Sequence, residues 1–194
     1  MSVQLSRGRW PWLALLLTST TATAVLAAPV QQVLQLQGVT FKVKAIGEGS
    51  QQTLQVKASE AGKAFPTINE LVDGTVTGVR VDDLNSDGRP ELFVFVTGAG
   101  SGSYGEVRAW TAGRRGAILL PIVMPELSGP FAEGYMGHDR FELVETTLAR
   151  SFPIYKPGDS NARPTGGTRQ VNYKLVAGEA SWQLKPMSSY TFPQ

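Results

Sequence analysis

Residues 91–111 read Glu91-Leu92-Phe93-Val94-Phe95-Val96-Thr97, then Gly98-Ala99-Gly100-Ser101-Gly102-Ser103-Tyr104-Gly105, then Glu106-Val107-Arg108-Ala109-Trp110-Thr111. The first run is apolar on both faces, which predicts a central strand buried on both sides. The last run alternates, with Val107, Ala109 and Thr111 on one face and Glu106, Arg108 and Trp110 on the other. Successive strand side chains point to opposite faces, so this pattern predicts a second strand. A tight hairpin needs only about two to five connecting residues. Here the connection is longer, four of the eight residues from 98 to 105 are glycine, and the tip carries Ser101, Ser103 and Tyr104. Glycine keeps such a loop slender while the hydroxyls make its end polar. The composition predicts a probe that enters a cleft on another molecule.

Working outward, period-two alternation dominates and no long amphipathic helix is evident. Val39, Phe41 and Val43 alternate with Thr40, Lys42 and Lys44; Gly47-Glu48-Gly49-Ser50 is a turn, and Leu54 and Val56 begin a return strand. Residues 59–65 read as a loop or short helical turn. Thr75 to Val81 is a strand leading into an Asp-rich turn. Gly113 to Gly116 is a turn, and Pro121 makes 118–123 an edge or irregular strand, because proline cannot donate to a ladder. Residues 125–138 leave room for one short helix. Phe141 to Leu148 and Phe152 to Tyr155 read as strands, and 156–168 as a long surface loop. The chain closes on a hairpin in which Val171, Tyr173 and Leu175 alternate with Gln170, Asn172 and Lys174 before Ala177-Gly178-Glu179, and Ala180, Trp182 and Leu184 return. Many short strands with regular turns predict an all-β fold: an antiparallel β-sandwich, one domain over 28–194, with short helical turns.

Residues 1–27 read as an export signal: Arg7 and Arg9, an apolar Trp10 to Leu17 stretch, and the small-residue site Val25-Leu26-Ala27. The leader holds two of the 18 basic residues and none of the 16 acidic ones, so the remaining 167 residues carry 16 of each. The net basicity therefore belongs to the leader, and charge supports neither a nucleic-acid nor an anionic-membrane partner. With no cysteine, stability must come from a core, and 167 residues suffice for one. Export without disulfides fits a bacterial periplasm.

Three motifs invite chemistry. Gly100-Ser101-Gly102-Ser103-Tyr104-Gly105 matches a dinucleotide fingerprint, but that motif opens a helix, and residues 106–111 alternate as a strand. Asp83-Leu84-Asn85-Ser86-Asp87-Gly88 resembles the first half of a calcium loop. Its twelfth position is Val94 rather than a bidentate Glu, and the simpler reading is a turn whose Asp and Asn side chains bond nearby amides. A calcium-dependent surface module stays open on this turn, as does an exported glycan-binding protein using Tyr104. The only histidine, His138, is read as a structural hydrogen-bonding group, and no serine completes a nucleophile elbow. Trp110, Tyr173 and Trp182 lie on alternating strands and read as core. Tyr104, flanked by Gly and Ser, lacks local apolar cover and reads as an interface anchor. The alternative is a ring folded back over its own hairpin.

Taken in order, several segments resemble the bacterial periplasmic inhibitors of i-type (invertebrate) lysozyme. They are Val81 to Gly88 with Pro90-Glu91-Leu92, Ser101 to Gly105, Gly134-Tyr135-Met136-Gly137-His138-Asp139 and Phe152-Pro153-Ile154-Tyr155. Asp159-Ser160-Asn161, Pro164 to Arg169 and the Tyr173 to Trp182 hairpin continue the likeness, which covers most of residues 70–185. It implies a β-sandwich, a periplasmic location, no catalysis, no cofactor or metal, and an i-type lysozyme as partner; a homodimer stays open. On that reading Ser101 and Tyr104 donate to the lysozyme carboxyl groups, Gly102 and Ser103 shape the tip, and Arg169 contributes from a second loop.

Overall fold

The computed structural model describes residues 30–193, so the proposed leader lies outside the described residues. Thirteen strands form two sheets: β1 (Gln31–Leu36), β2 (Val39–Ile46), β3 (Gln51–Glu60), β4 (Lys63–Ala64), β5 (Ile68–Asp73), β6 (Thr75–Asp82), β7 (Glu91–Thr97), β8 (Gly105–Ala112), β9 (Leu119–Val123), β10 (Arg140–Val144), β11 (Thr147–Pro153), β12 (Thr168–Ala177) and β13 (Trp182–Phe192). No α-helix occurs among the described residues; a 3-10 turn at Gly129–Ala132 fills the place left for a short helix. The smaller sheet runs β1-β2-β3-β4, with β5 also on β3. The larger runs β10-β11-β12-β13-β9-β8-β7-β6 and curls into a nearly closed barrel. All its pairings are antiparallel except β13 with β9.

The double-sided burial of β7 has a direct cause. Leu92, Val94 and Val96 face the smaller sheet, packing with Phe41, Val43, Leu54, Val56 and Val72. Phe93 and Phe95 face the opposite way, into the curled sheet, among Leu148, Phe152, Val171, Tyr173 and Leu184. One strand thus serves two cores, and no position on Leu92 to Val96 can be polar. Strand β8 is shared in the same way at its end. Ala109 lies in the inner core, while Trp110 and Ala112 lie against the smaller sheet, so Trp110 is core as expected.

Four local expectations change. Residues 59–65 are not helical: β3 runs to Glu60, Ala61-Gly62 turn, and β4 returns. The run 141–148 is split by a two-residue turn at Glu145-Thr146, with Glu145 at φ 50°, into β10 and β11. The run 152–155 is not a separate strand: Phe152 and Pro153 end β11, and Ile154 makes only an isolated bridge to Tyr135. Strand β9 is interior rather than an edge. Pro121 lies opposite Trp110 on β8, and the parallel link to β13 uses only Ile122 and Val123. The actual edges of the curled sheet are β6 and β10, with a groove of about 910 Å³ between them lined by Arg80, Asp82, Phe141 and Ser151.

Antiparallel order puts the loops at two opposite ends. The 98–104 loop, the 124–139 segment and the 154–167 loop share one end. The Asp-rich turn, which enters β7, lies at the other, roughly 20 Å away at about 3.3 Å per strand residue.

Candidate functional site

At the first end, three segments distant in sequence converge on Gly98–Tyr104. The loop closes on itself through Gly98 N–H to Tyr104 O (2.8 Å) and Ser103 N–H to Gly100 O (2.8 Å). From the 134–139 segment, His138 N–H donates to Gly102 O at 2.7 Å. From the 154–167 loop, Asn161 Nδ2 donates to Ser101 O at 2.7 Å. The two loops proposed as parts of one surface therefore do meet, through Asn161. Their packing is tight: Gly137 sits at φ 93°, and a Cβ there would run into the Gly102 carbonyl. A Cβ on Gly102 would strike the Tyr104 ring, so that glycine is required where the tip folds beneath the aromatic.

The hydrogen bonds have a one-sided consequence. The carbonyls of Gly100, Ser101 and Gly102 all accept from donors inside the protein. Among the described residues, the hydroxyls of Ser101, Ser103 and Tyr104 have no partner in the chain, nor have the N–H groups of Ser101 and Gly102. Residues 98–105 contain no acidic side chain. The tip presents unpaired hydroxyl and N–H donors and turns the carbonyls of residues 100–102 inward. Ser101 is exposed, and Tyr104 keeps 54% of its surface open while its ring meets Tyr135 edge-on at 5.6 Å. Tyr104 is thus propped on one flank and free on the other.

Beneath the loop lies a buried polar network. Asp139 is fully enclosed; its Oδ1 accepts from Arg150 Nε at 2.7 Å, and its Oδ2 from Gly105 N–H (2.7 Å) and Tyr135 Oη (2.6 Å). Arg150 Nη2 donates to Tyr135 Oη at 2.6 Å, and the guanidinium lies 4.9 Å from the Tyr135 ring centroid. Burial works against the Arg150 charge, but the hydrogen bond and opposite charge of Asp139 outweigh it and raise its pKa. Burial and the bond to Asp139 push the Tyr135 hydroxyl up as well, so it stays protonated. Asp139 is neutralised where it stands. It anchors the first residue of β8 without placing free negative charge behind the tip.

Arg169 is engaged within the chain: Nη1 donates to the carbonyls of Pro130 (2.7 Å), Phe131 (3.5 Å) and Glu133 (3.0 Å). It fastens the segment that leads to Tyr135. His138 is hydrogen-bonded within the chain through its main-chain N–H to Gly102 O and a 3.2 Å contact of Nε2 with Asn161 Oδ1. Sequence reasoning missed Arg150, Asp139 and Asn161 as parts of this site. A signal existed for Arg150, which falls at period two between Leu148 and Phe152 on the inward face of β11.

The Asp-rich turn spends its oxygens on its own backbone. Asp83 accepts from Asp87 N–H, Gly88 N–H and Gln37 Nε2; Asp87 Oδ1 accepts from Arg89 N–H and Asp82 Oδ1 from Asp83 N–H. Among the described residues no group of three or more His, Cys, Asp or Glu is arranged to hold a metal ion. Glu91, fully buried below this turn, accepts from Leu84 N–H and Thr111 Oγ1, both at 2.8 Å. Burial outweighs these donors, and its pKa is pushed up to about 7. A carboxyl raised on folding takes up a proton between its unfolded value near 4.5 and about 7. Its contribution is therefore largest at the acid end and is lost as pH rises through 7. At about 1.4 kcal/mol per unit this amounts to at most about 3 kcal/mol. Melting at pH 5 and pH 8 should show the parent less stable at pH 8, and Glu91→Gln should remove most of that difference. Glu70, also raised by burial, acts in the same direction, so the variant is needed to isolate Glu91.

A protein-family model described as "Periplasmic lysozyme inhibitor of I-type lysozyme" matches residues 29–125. The match takes in β1 to β4, which lie before the 70–185 range of the sequence resemblance, together with the 98–105 loop, and ends before the 134–139 segment. No curated protein matches the chain.

Proposed function

Since the chain belongs to the family of periplasmic inhibitors of i-type lysozyme, we propose that it blocks such an enzyme by seating the 98–105 loop in the active-site cleft. The observation that carries this reading is the tip's unpaired donors, offered on a loop with no acidic side chain and with the Gly100, Ser101 and Gly102 carbonyls turned inward. Glycoside hydrolases of the lysozyme kind hold two carboxyl groups on either side of the scissile bond. A loop offering the hydroxyls of Ser101 and Tyr104 with the N–H groups of Ser101 and Gly102 is complementary to that pair. Hydrogen bonds to a charged acceptor are about twice as strong as neutral ones. Gly102 and Ser103 shape the tip, and Ser103, at φ 42°, turns the chain back toward Tyr104. Arg169 supports the surface by fixing residues 130–133. Residues 1–27 direct export and are removed, leaving the inhibitor in the periplasm.

The test is a turnover assay with purified 28–194 against i-type, c-type and g-type lysozymes. Near-stoichiometric inhibition of an i-type enzyme, with the other classes largely active, is expected. A folded sample that leaves several i-type enzymes untouched overturns the reading.

A further inference from the structure

We infer that Asn161 is a positioning residue for the inhibitory tip, reaching across 60 residues of sequence to set the loop in its binding conformation before a partner arrives. The inference rests on the proposed role of the loop.

Its geometry is determined. Ser101 O can only accept, so the Asn161 atom 2.7 Å from it must be the amide nitrogen. The amide oxygen then faces His138 Nε2 at 3.2 Å, which fixes that ring nitrogen as the donor. The Asn161 main chain is held as well, because Tyr155 Oη donates to its carbonyl at 3.0 Å. The surrounding loop is fastened by Asp159, whose carboxylate accepts from Lys156 N–H (2.7 Å), Thr165 N–H (2.8 Å) and Thr165 Oγ1 (3.0 Å). Asn161 thus hangs from a braced loop and grips Ser101, a residue set between two glycines.

Two effects follow from this single bond. First, Gly100-Ser101-Gly102 has wide conformational freedom, and ordering each such residue on binding costs about 1–2 kcal/mol. A loop already ordered raises the fraction of molecules competent to bind, and apparent affinity scales with that fraction. Second, the bond turns the Ser101 carbonyl inward. Left free, that oxygen could face an incoming carboxylate and repel it; held by Asn161, it leaves the outer surface to donors.

The experiment compares the parent with Asn161→Ala and Asn161→Asp, each as residues 28–194. Hydrogen exchange of the free proteins, association and dissociation rates with an i-type lysozyme, and thermal melting are measured. Asn161→Ala should melt near the parent, exchange the Ser103 and His138 amides, which donate to the loop carbonyls of Gly100 and Gly102, faster, and associate about tenfold more slowly with a much smaller change in dissociation. Asn161→Asp should associate more slowly still, since its carboxylate keeps the His138 bond but opposes the Ser101 carbonyl and brings negative charge to the tip. Unchanged loop exchange, or an unchanged association rate, in folded Asn161→Ala overturns the positioning role. Faster exchange in that variant, when the parent itself inhibits no i-type lysozyme, supports the ordering of the loop and places the error in the proposed target.

Discussion

Asp139→Ala is expected to lower stability by about 3–5 kcal/mol, the range found when one partner of a buried ion pair is removed. The substitution leaves the Arg150 guanidinium, only 8% exposed, without its counter-charge. It also strips the acceptor from Gly105 N–H and from the Tyr135 hydroxyl. For a chain of this size, about 2–4 °C is lost per kcal/mol, so melting should fall by roughly 6–20 °C. Inhibition should weaken further than the unfolded fraction explains, because Gly105 is the residue of β8 that directly follows the tip and Asp139 anchors its N–H. The companion Asp139→Leu with Arg150→Met removes both charges and restores an apolar filling, which in buried pairs is often close to neutral. It should recover much of the loss but not all, since Gly105 N–H and Tyr135 Oη still lack acceptors. If Asp139→Ala melts within about a degree of the parent, the pair is not the brace that its burial indicates.

The parts of the fold that were legible in the sequence are those where one physical requirement dominates. Leu92 to Val96 has no polar position because two cores claim its two faces, and that leaves an unbroken apolar run. The closing hairpin was readable because β12 keeps Val171, Tyr173 and Leu175 in the core and β13 returns Leu184 to it. The Val144–Thr147 turn was not, because it reverses at Glu145-Thr146 with a positive φ on glutamate and none of the usual Gly, Asn or Pro signals. The Pro121 strand misled for a related reason. Proline has no N–H to donate, yet Pro121 still pairs with Trp110 on β8, and the parallel link to β13 begins one residue later, at Ile122.

The candidate site divides along the same line. Its tip is local, and glycines alternating with hydroxyl residues in a loop too long for a hairpin are a local signal. Its supports are not. Ser101 and Asn161, Gly105 and Asp139, or Asp139 and Arg150 come together only once the curled sheet has brought β7, β10 and β11 to one end. Arg150 alone left a trace, as a charge on the inward face of an otherwise apolar alternation. A charge there requires a buried partner, although the pattern does not say which one. The proposed probe loop is therefore easier to recognise than the scaffold that holds it, because the loop's signal is local and the scaffold's is not.

Ser101→Ala and Tyr104→Ala should each weaken inhibition tenfold to hundredfold while leaving the fold intact. Both side chains stand at the exposed end of a loop held by β7 and β8, and neither belongs to either core. In the free protein their hydroxyls have only water for partners, so truncation removes no hydrogen bond within the chain. In the proposed complex the same truncation would leave a lysozyme carboxylate enclosed without its donor. An unsatisfied buried group costs on the order of 1–3 kcal/mol, and more when charged. At about 1.4 kcal/mol per decade this gives the stated loss. Tyr104→Phe separates the two contributions of the tyrosine. The ring keeps its edge contact with Tyr135, so a loss close to that of Tyr104→Ala assigns the effect to the hydroxyl, and near-parental inhibition assigns it to the ring. Inhibition constants are to be read beside melting curves for all three variants. Parental inhibition by folded Ser101→Ala and Tyr104→Ala would move the binding surface away from the tip, leaving the rigid loop without the role proposed for it.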